Sequence, residues 1–287
     1  MPRKPASQKE GSFIRIETST WPAVKKYFDD GNDLVILTIG STEEHGRHNP
    51  LGVDTIAPNY LLDLIEAQDP SVLIAPTLPF GAADDLLGYP GTLSIGYDLL
   101  YQITKRLTDQ LYDYGARHFV FLNGHGPNIK PLSQVGEELD RRGARCALMN
   151  WWLMAGEINP AWAGGHGAGE ETSAMLAVNP DLVDMTQLEG QVGEMNLVND
   201  VSETMPTDGW SSVLYKGVHV GMPRDAVRYA ANGWIGPDHA KTASKEWGDA
   251  MMAGTADYIV DFLKEFRQIP LPEPLPVRCA GKPGAIA

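Results

Sequence analysis

Apolar residues along this chain fall into two kinds of run. Residues 34–40 (LVILTIG) and 118–122 (HFVFL) are short and almost uninterrupted, the pattern of a strand buried on both faces. Residues 72–75 (VLIA), closed by Pro76, and Arg145 to Asn150 read the same way. Between them the spacing turns helical. Tyr60, Leu61, Leu64 and Ile65 predict a helix from about Pro58 to Ala67. Leu100, Ile103, Leu107 and Leu111 share one face of a helix predicted over Tyr97 to Tyr114, with Gly115 at its C-cap. Further helices are predicted from about Asn128 to Arg141 and between about His239 and Glu265, and a Gly- and Pro-rich loop over 79–96. Strand and helix in alternation imply an α/β fold, a three-layer sandwich with a mostly parallel central sheet.

The ends differ from the middle. Residues 1–11 are polar and predict a disordered arm, and 271–287 form a Pro-rich tail. The interval 12–270 shows no internal repeat or linker and is read as one domain. A net charge of −14 argues against a nucleic-acid partner and against docking on an anionic membrane, both of which need a basic face. No apolar stretch suits a signal peptide or a membrane span. The two cysteines, Cys146 and Cys279, make neither a disulfide framework nor a zinc site, and Cys146 in its apolar run reads as a core residue. A reducing, cytoplasmic location is expected.

Ligands of a parallel α/β sheet bind outside the carboxyl ends of the strands, and unusual residues gather at those ends here. After the first strand comes Gly40-Ser41-Thr42-Glu43-Glu44-His45-Gly46-Arg47-His48-Asn49-Pro50, followed by Asp54. After strand 118–122 comes Asn123-Gly124-His125-Gly126-Pro127-Asn128, and a third segment, Gly164-Gly165-His166-Gly167-Ala168-Gly169-Glu170-Glu171-Thr172-Ser173, opens a candidate helix. These loops hold four of the seven histidines. Imidazole and carboxylate together are what borderline divalent metals take as ligands. Glu43 and His45, two apart, point to one side of an extended chain, Asp54 can fold back toward them, and His125 can close the site from another strand.

Three of these segments, GSTEEHGRHNPLGVDT, FLNGHGPN and GGHGAGEETSAMLAVNPDLVDM, resemble the creatininase (creatinine amidohydrolase) family, and FGAADDLLGYPGTLSIG looks like that family's Pro-Gly-Thr loop. The resemblance implies a creatininase-like fold, a hexameric homo-oligomer and two divalent ions (Zn, Mn or Fe). It implies Glu43 and His125 on the first ion, His45 on the second and Asp54 on both. His166 would be the catalytic histidine, supported by Glu171, and Trp162 a substrate-packing residue, with Trp151 or Trp152 as a second. Trp210, Tyr215 and Trp234 are candidate subunit-interface anchors. Pro127 stands where creatininase supplies a further glutamate, so the second ion has fewer protein ligands, takes Glu171, or is weakly occupied.

The expected chemistry is attack of a metal-activated water on a carbonyl of a small cyclic substrate, creatinine-like, breaking a C–N bond. The alternative within the family is opening of a cyclic diketone derived from inositol by C–C cleavage, with Asp84 and Asp85 on its hydroxyls. A non-catalytic metal-binding module is the alternative from another class.

Overall fold

The computed structural model describes residues 14–188, 197–236 and 238–275. The expected N-terminal arm and the tail beyond 275 lie outside these residues. Five parallel strands form the sheet: β1 (Ile14–Arg15), β2 (Leu34–Ile39), β3 (Leu73–Ile74), β4 (His118–Asn123) and β5 (Arg145–Asn150), in the order β1-β3-β2-β4-β5. Period-two alternation divides each strand between two helical layers. Leu34, Ile36, Ile74, Val120, Leu122 and Met149 face α2 (Val53–Gln68), α5 (Trp151–Ile158), α6 (Gly169–Val178) and α7 (Lys245–Phe266). Val35, Leu37, Ile39, Leu73, Phe119 and Phe121 face α1 (Trp21–Asp29), α3 (Gly96–Tyr114) and α4 (Ile129–Arg141). This is the expected three-layer α/β sandwich.

Several elements depart from their sequence patterns for local reasons. Helix α2 begins at Val53 and runs through Pro58. Proline has no N–H to give the carbonyl four residues earlier, which here belongs to Asp54, so that carbonyl sits free at the helix start. Gly40 and Gly124, at the ends of β2 and β4, receive it: a Cβ at either position would overlap the Asp54 carbonyl. Helix α7 starts at Lys245, where the Ser244 hydroxyl caps it by accepting the Trp247 N–H. Helix α5 (WWLMAGEI) is apolar all round and shows no period to read. The hairpin of β6 (Ser212–Tyr215) and β7 (Val218–Gly221) turns on Lys216 (φ +50°) and Gly217 (φ +80°), and such two-residue turns need positive φ at both positions.

A third apolar cluster pins the 79–96 loop. Ala83, Leu86 and Tyr89 pack on Ala226, Tyr229, Ala230 and Ile235. The Tyr89 hydroxyl donates to the Ala230 carbonyl. This contact joins the two segments that border the carboxyl ends of the strands.

The crossing of α6 and α7 depends on Gly248, where a Cβ would overlap the Ser173 carbonyl oxygen. Helix propensity favours alanine over glycine by about 1 kcal/mol, whereas overpacking against a rigid backbone costs about 1–3 kcal/mol or more. Gly248→Ala is therefore expected to lower the urea midpoint. An unchanged or raised midpoint would mean that the helices do not cross there.

Candidate metal centre and active-site cavity

The site is assembled from four chain segments. Glu43, Glu44 and His45 follow β2, His125 follows β4, and His166 precedes α6. Asp54 and Glu171 lie in the first turns of α2 and α6, where unpaired backbone N–H groups and the helix dipole favour a carboxylate. Asn123 and Asn128 tie the scaffold together. The Asn123 amide donates to the His125 carbonyl at 2.7 Å, and Asn128 bridges the Gly40 carbonyl and the Ala82 N–H, each at 3.0 Å.

Glu43, His45, Asp54 and His125 are all buried. His125 Nδ1 lies 3.0 Å from Glu43 Oε1 and 3.1 Å from Asp54 Oδ2. His45 Nε2 lies 3.0 Å from Asp54 Oδ1 and 3.7 Å from Glu171 Oε2. Two sets result, Glu43–Asp54–His125 and His45–Asp54–Glu171, in each of which one ligand atom per residue lies within 4.8 Å of the others; Asp54 belongs to both. A third set joins Glu43, His45 and His166. Two features fit the first two sets to cations. Glu43 Oε2 is buried without a hydrogen-bond partner, and Asp54 Oδ2 has only the poorly aligned His125 Nδ1 beside it. The outer nitrogen of each imidazole is committed to a backbone carbonyl, His125 Nε2 to Ala82 at 3.1 Å and His45 Nδ1 to Glu43 at 3.2 Å. A carbonyl only accepts, so the N–H is on that nitrogen, as in metal-binding histidines.

The electrostatics show the same demand for positive charge. Burial works against the imidazolium of His45, yet Asp54 and Glu171 outweigh it and raise its pKa well above the usual value. Burial is likewise outweighed at His125, by Glu43 and Asp54. Burial would raise the Asp54 pKa, but His45 and His125 hold it well below the usual range. Glu171 is raised by burial, only partly offset by His45 and His166. Glu170, buried beside Glu171 and Asp238, is pushed up to about 9. Burial, with His45 and His239 nearby, lowers His48 to about 4.

A cavity of about 570 Å³ opens over these groups. Its walls include Tyr97, Trp152, Leu153 and Trp210, with Asp85, Glu170 and His166 also on the lining; among the described residues no Lys or Arg lines it. Trp210 donates its indole N–H to Asp85 at 2.7 Å, and its ring meets His166 edge-on at 5.1 Å. His166 Nε2 lies 2.9 Å from Glu44 Oε1.

The remaining sequence-predicted residues fall as follows. Trp162 packs on Gly254 of α7, half-buried against the core and off the cavity lining. Trp151 is fully buried, whereas Trp152 lines the cavity. Asp84 accepts the Ser94 hydroxyl and is off the lining; Asp85 is on it. Pro127 lines the cavity with no ligand atom, and Glu171 supplies a carboxylate to the His45 set. His48 pairs with the Thr172 hydroxyl at 2.8 Å. Of the three candidate interface aromatics, Trp210 belongs to the cavity, Trp234 is buried against His239, and Tyr215 is exposed on the hairpin. The sequence reading assigned no role to Glu44 or Glu170. Their only signal was adjacency to Glu43, His45 and Glu171.

A parallel sheet carrying a buried carboxylate shared between two imidazole–carboxylate sets is the framework of an α/β protein with a two-metal site. The family description "Creatininase: Creatinine amidohydrolase" matches residues 17–263, and the chain belongs to the creatininase family. It is 25% identical over 268 residues to creatinine amidohydrolase of Pseudomonas putida, covering 86% of this chain and 94% of that protein. To the mycofactocin precursor peptide peptidase of Mycobacterium tuberculosis H37Rv it is 33% identical over 209 residues, 67% of this chain and 76% of that one. A crystal structure of creatininase superposes with a TM-score of 0.69 at 22% identity, covering 90% of this chain and 99% of that one. Other creatininase structures of the same fold are described as Zn-Zn type and Mn. Like its family, this protein is a hydrolase and metal-dependent.

Because His45 and His125 hold protons where cations fit, metal uptake must displace them. Apparent zinc affinity of the metal-free protein is expected to rise with pH until those raised pKa values are passed. Calorimetric titration in buffers of different ionisation enthalpy should report protons released per zinc bound. Buffer-independent heats would show that these imidazoles are not displaced.

Proposed function

We propose that this protein hydrolyses the C–N bond of a small neutral or cationic amide. Two divalent ions would be held by Glu43, Asp54 and His125 and by His45, Asp54 and Glu171. When bound, the ions polarise the substrate carbonyl and lower the pKa of water to about 7. The observation that carries this reading is the shared Asp54 beneath the cavity floor. The lining supports the choice of substrate charge: Glu43, Asp54, Asp85, Glu170 and Glu171 contribute carboxyl groups, and among the described residues no Lys or Arg opposes them.

His166 is the proton carrier in this reading, since an imidazole changes charge near working pH. Trp152 and Trp210 supply flat walls for a ring or an unsaturated group. A creatinine-like cyclic amide is the first candidate. A short peptide is the second, favoured by a cavity in the range used for drug-sized ligands and by the similarity to a peptide peptidase. The inositol-derived diketone stays an alternative: of the two acids expected on its hydroxyls, Asp85 lines the cavity and Asp84 does not.

Metal content and single-turnover rates of three variants test the assignments. Asp54→Ala is expected to lose both ions and essentially all activity. His125→Ala is expected to lose metal and activity together. His166→Ala is expected to keep its metal while kcat falls about 10²–10⁴-fold, the usual worth of acid–base catalysis. An Asp54 variant with two tightly bound ions, or an empty His166 variant, refutes the corresponding role. Assays on creatinine, cyclic ureides and short peptides decide between the substrate classes.

We further propose a homo-oligomer. Support comes from the hairpin, whose Tyr215, Val218 and Val220 are exposed and suit a subunit contact. Light scattering at micromolar concentration should give a multiple of the chain mass; a monomer mass rules this out.

A further inference from the structure

We infer that Glu44 is the positioning residue of His166, fixing the orientation and the tautomer of its imidazole. The inference rests on the proton-carrying role proposed above for His166.

The contact is direct and enclosed. His166 Nε2 and Glu44 Oε1 are 2.9 Å apart, with the two side chains 12% and 7% exposed. The carboxylate cannot swing away. Its other oxygen, Oε2, accepts the Gly46 N–H at 2.9 Å. Gly233, at φ +77°, presses its backbone so close that a Cβ there would overlap Oε2. The Glu44 N–H is itself held by the Thr92 hydroxyl at 3.2 Å.

The histidine is fixed from other directions. Its carbonyl accepts the Ile235 N–H at 2.9 Å. One ring face meets the His45 ring at 4.5 Å, and Trp210 meets the ring at 5.1 Å. The glycines on both sides of His166 suggest a loop that adjusts as substrate arrives, yet its ring and backbone are restrained from three separate segments, by Glu44 and His45, by Trp210 and by Ile235. Such over-determination is what a catalytic group needs to stay in a productive geometry.

Glu171 is the other carboxylate available to orient His166, but its Oε2 accepts the Gly167 N–H at 2.7 Å and lies 3.7 Å from His45. The hydrogen bond to His166 comes from Glu44 instead.

The tautomer follows from donor and acceptor count. A neutral imidazole has one N–H, and an ionised carboxylate only accepts. With Nε2–H given to Glu44, Nδ1 carries the lone pair. In the reaction Nδ1 takes a proton from the attacking water and passes it to the departing amide nitrogen, so His166 ends as it began.

The test uses the zinc-loaded protein with ¹⁵N-labelled histidine, and the variants Glu44→Gln and Glu44→Leu. Long-range ¹H–¹⁵N spectra, with His166 assigned through its loss in His166→Asn, are expected to show the Nε2–H tautomer in the wild type and its loss in Glu44→Leu. On whichever of creatinine, a cyclic ureide or a short peptide is turned over, kcat in Glu44→Leu is expected to fall about 10²–10⁴-fold. KM and zinc content should stay near wild type, and Glu44→Gln, which keeps an acceptor but no charge, should fall between. An unchanged tautomer in Glu44→Leu overturns the inference. So does loss of zinc along with activity, since Glu44 would then support the metal site and not the imidazole. If His166→Ala leaves kcat unchanged while the tautomer still depends on Glu44, it is the proton-carrier reading that fails.

Discussion

Everything at this site depends on how closely the first turn of α2 approaches the ends of β2 and β4. Pro58 frees the Asp54 carbonyl from the helix ladder, and Gly40 and Gly124 have no side chain to hold it away. The Asp54 carboxylate is thereby delivered between His45 and His125, from different strands, at 3.0 and 3.1 Å. A methyl group at Gly124 would overlap the backbone of the very residue that the two metal sets share. The Asn128 side chain then ties the end of β2 to the 79–96 loop, and Asn123 holds the backbone of His125.

That geometry carries an electrostatic consequence. Burying carboxylates without compensation is prohibitive, and this site buries Glu43, Asp54 and Glu171 together. Charge must be supplied from within, by protons on His45 and His125, or from outside, by cations. The raised imidazole pKa values and the orphaned oxygens of Glu43 and Asp54 are two expressions of one deficit. Around this centre the histidines divide by partner. His45 and His125 give their outer N–H to backbone carbonyls, whereas His166 is paired with the carboxylate of Glu44 and flanked by Trp210. Trp210 in turn reaches Asp85, so the loop after β3 and the segment before β6 meet over the cavity.

The layers were legible in the sequence because burial on two faces leaves an uninterrupted apolar run. Residues 34–39 and 118–122 could hardly be anything but central strands. Less was legible where periodicity fails: α5 is apolar on every side, α1 is short, and the start of α2 is hidden behind a proline that usually marks a boundary. Glu43, His45, Asp54 and His125 stood out because metal-binding residue types cluster at strand ends. Trp162 stood out by the family resemblance alone, and its ring packs against Gly254 on α7, where the missing side chain leaves room for an indole.

The sequence by itself determined the α/β class, the ends of the strands as the place for chemistry, and the residue types available there, because these depend on local pattern and composition. Only the tertiary structure decided the partnerships. Whether Glu44 or Glu171 holds His166, whether Trp152 or Trp162 faces the cavity, and that Trp210 reaches Asp85 across 125 residues are set by packing between distant segments. A side chain's neighbours in space are fixed by close packing of the whole fold, which no local spacing encodes.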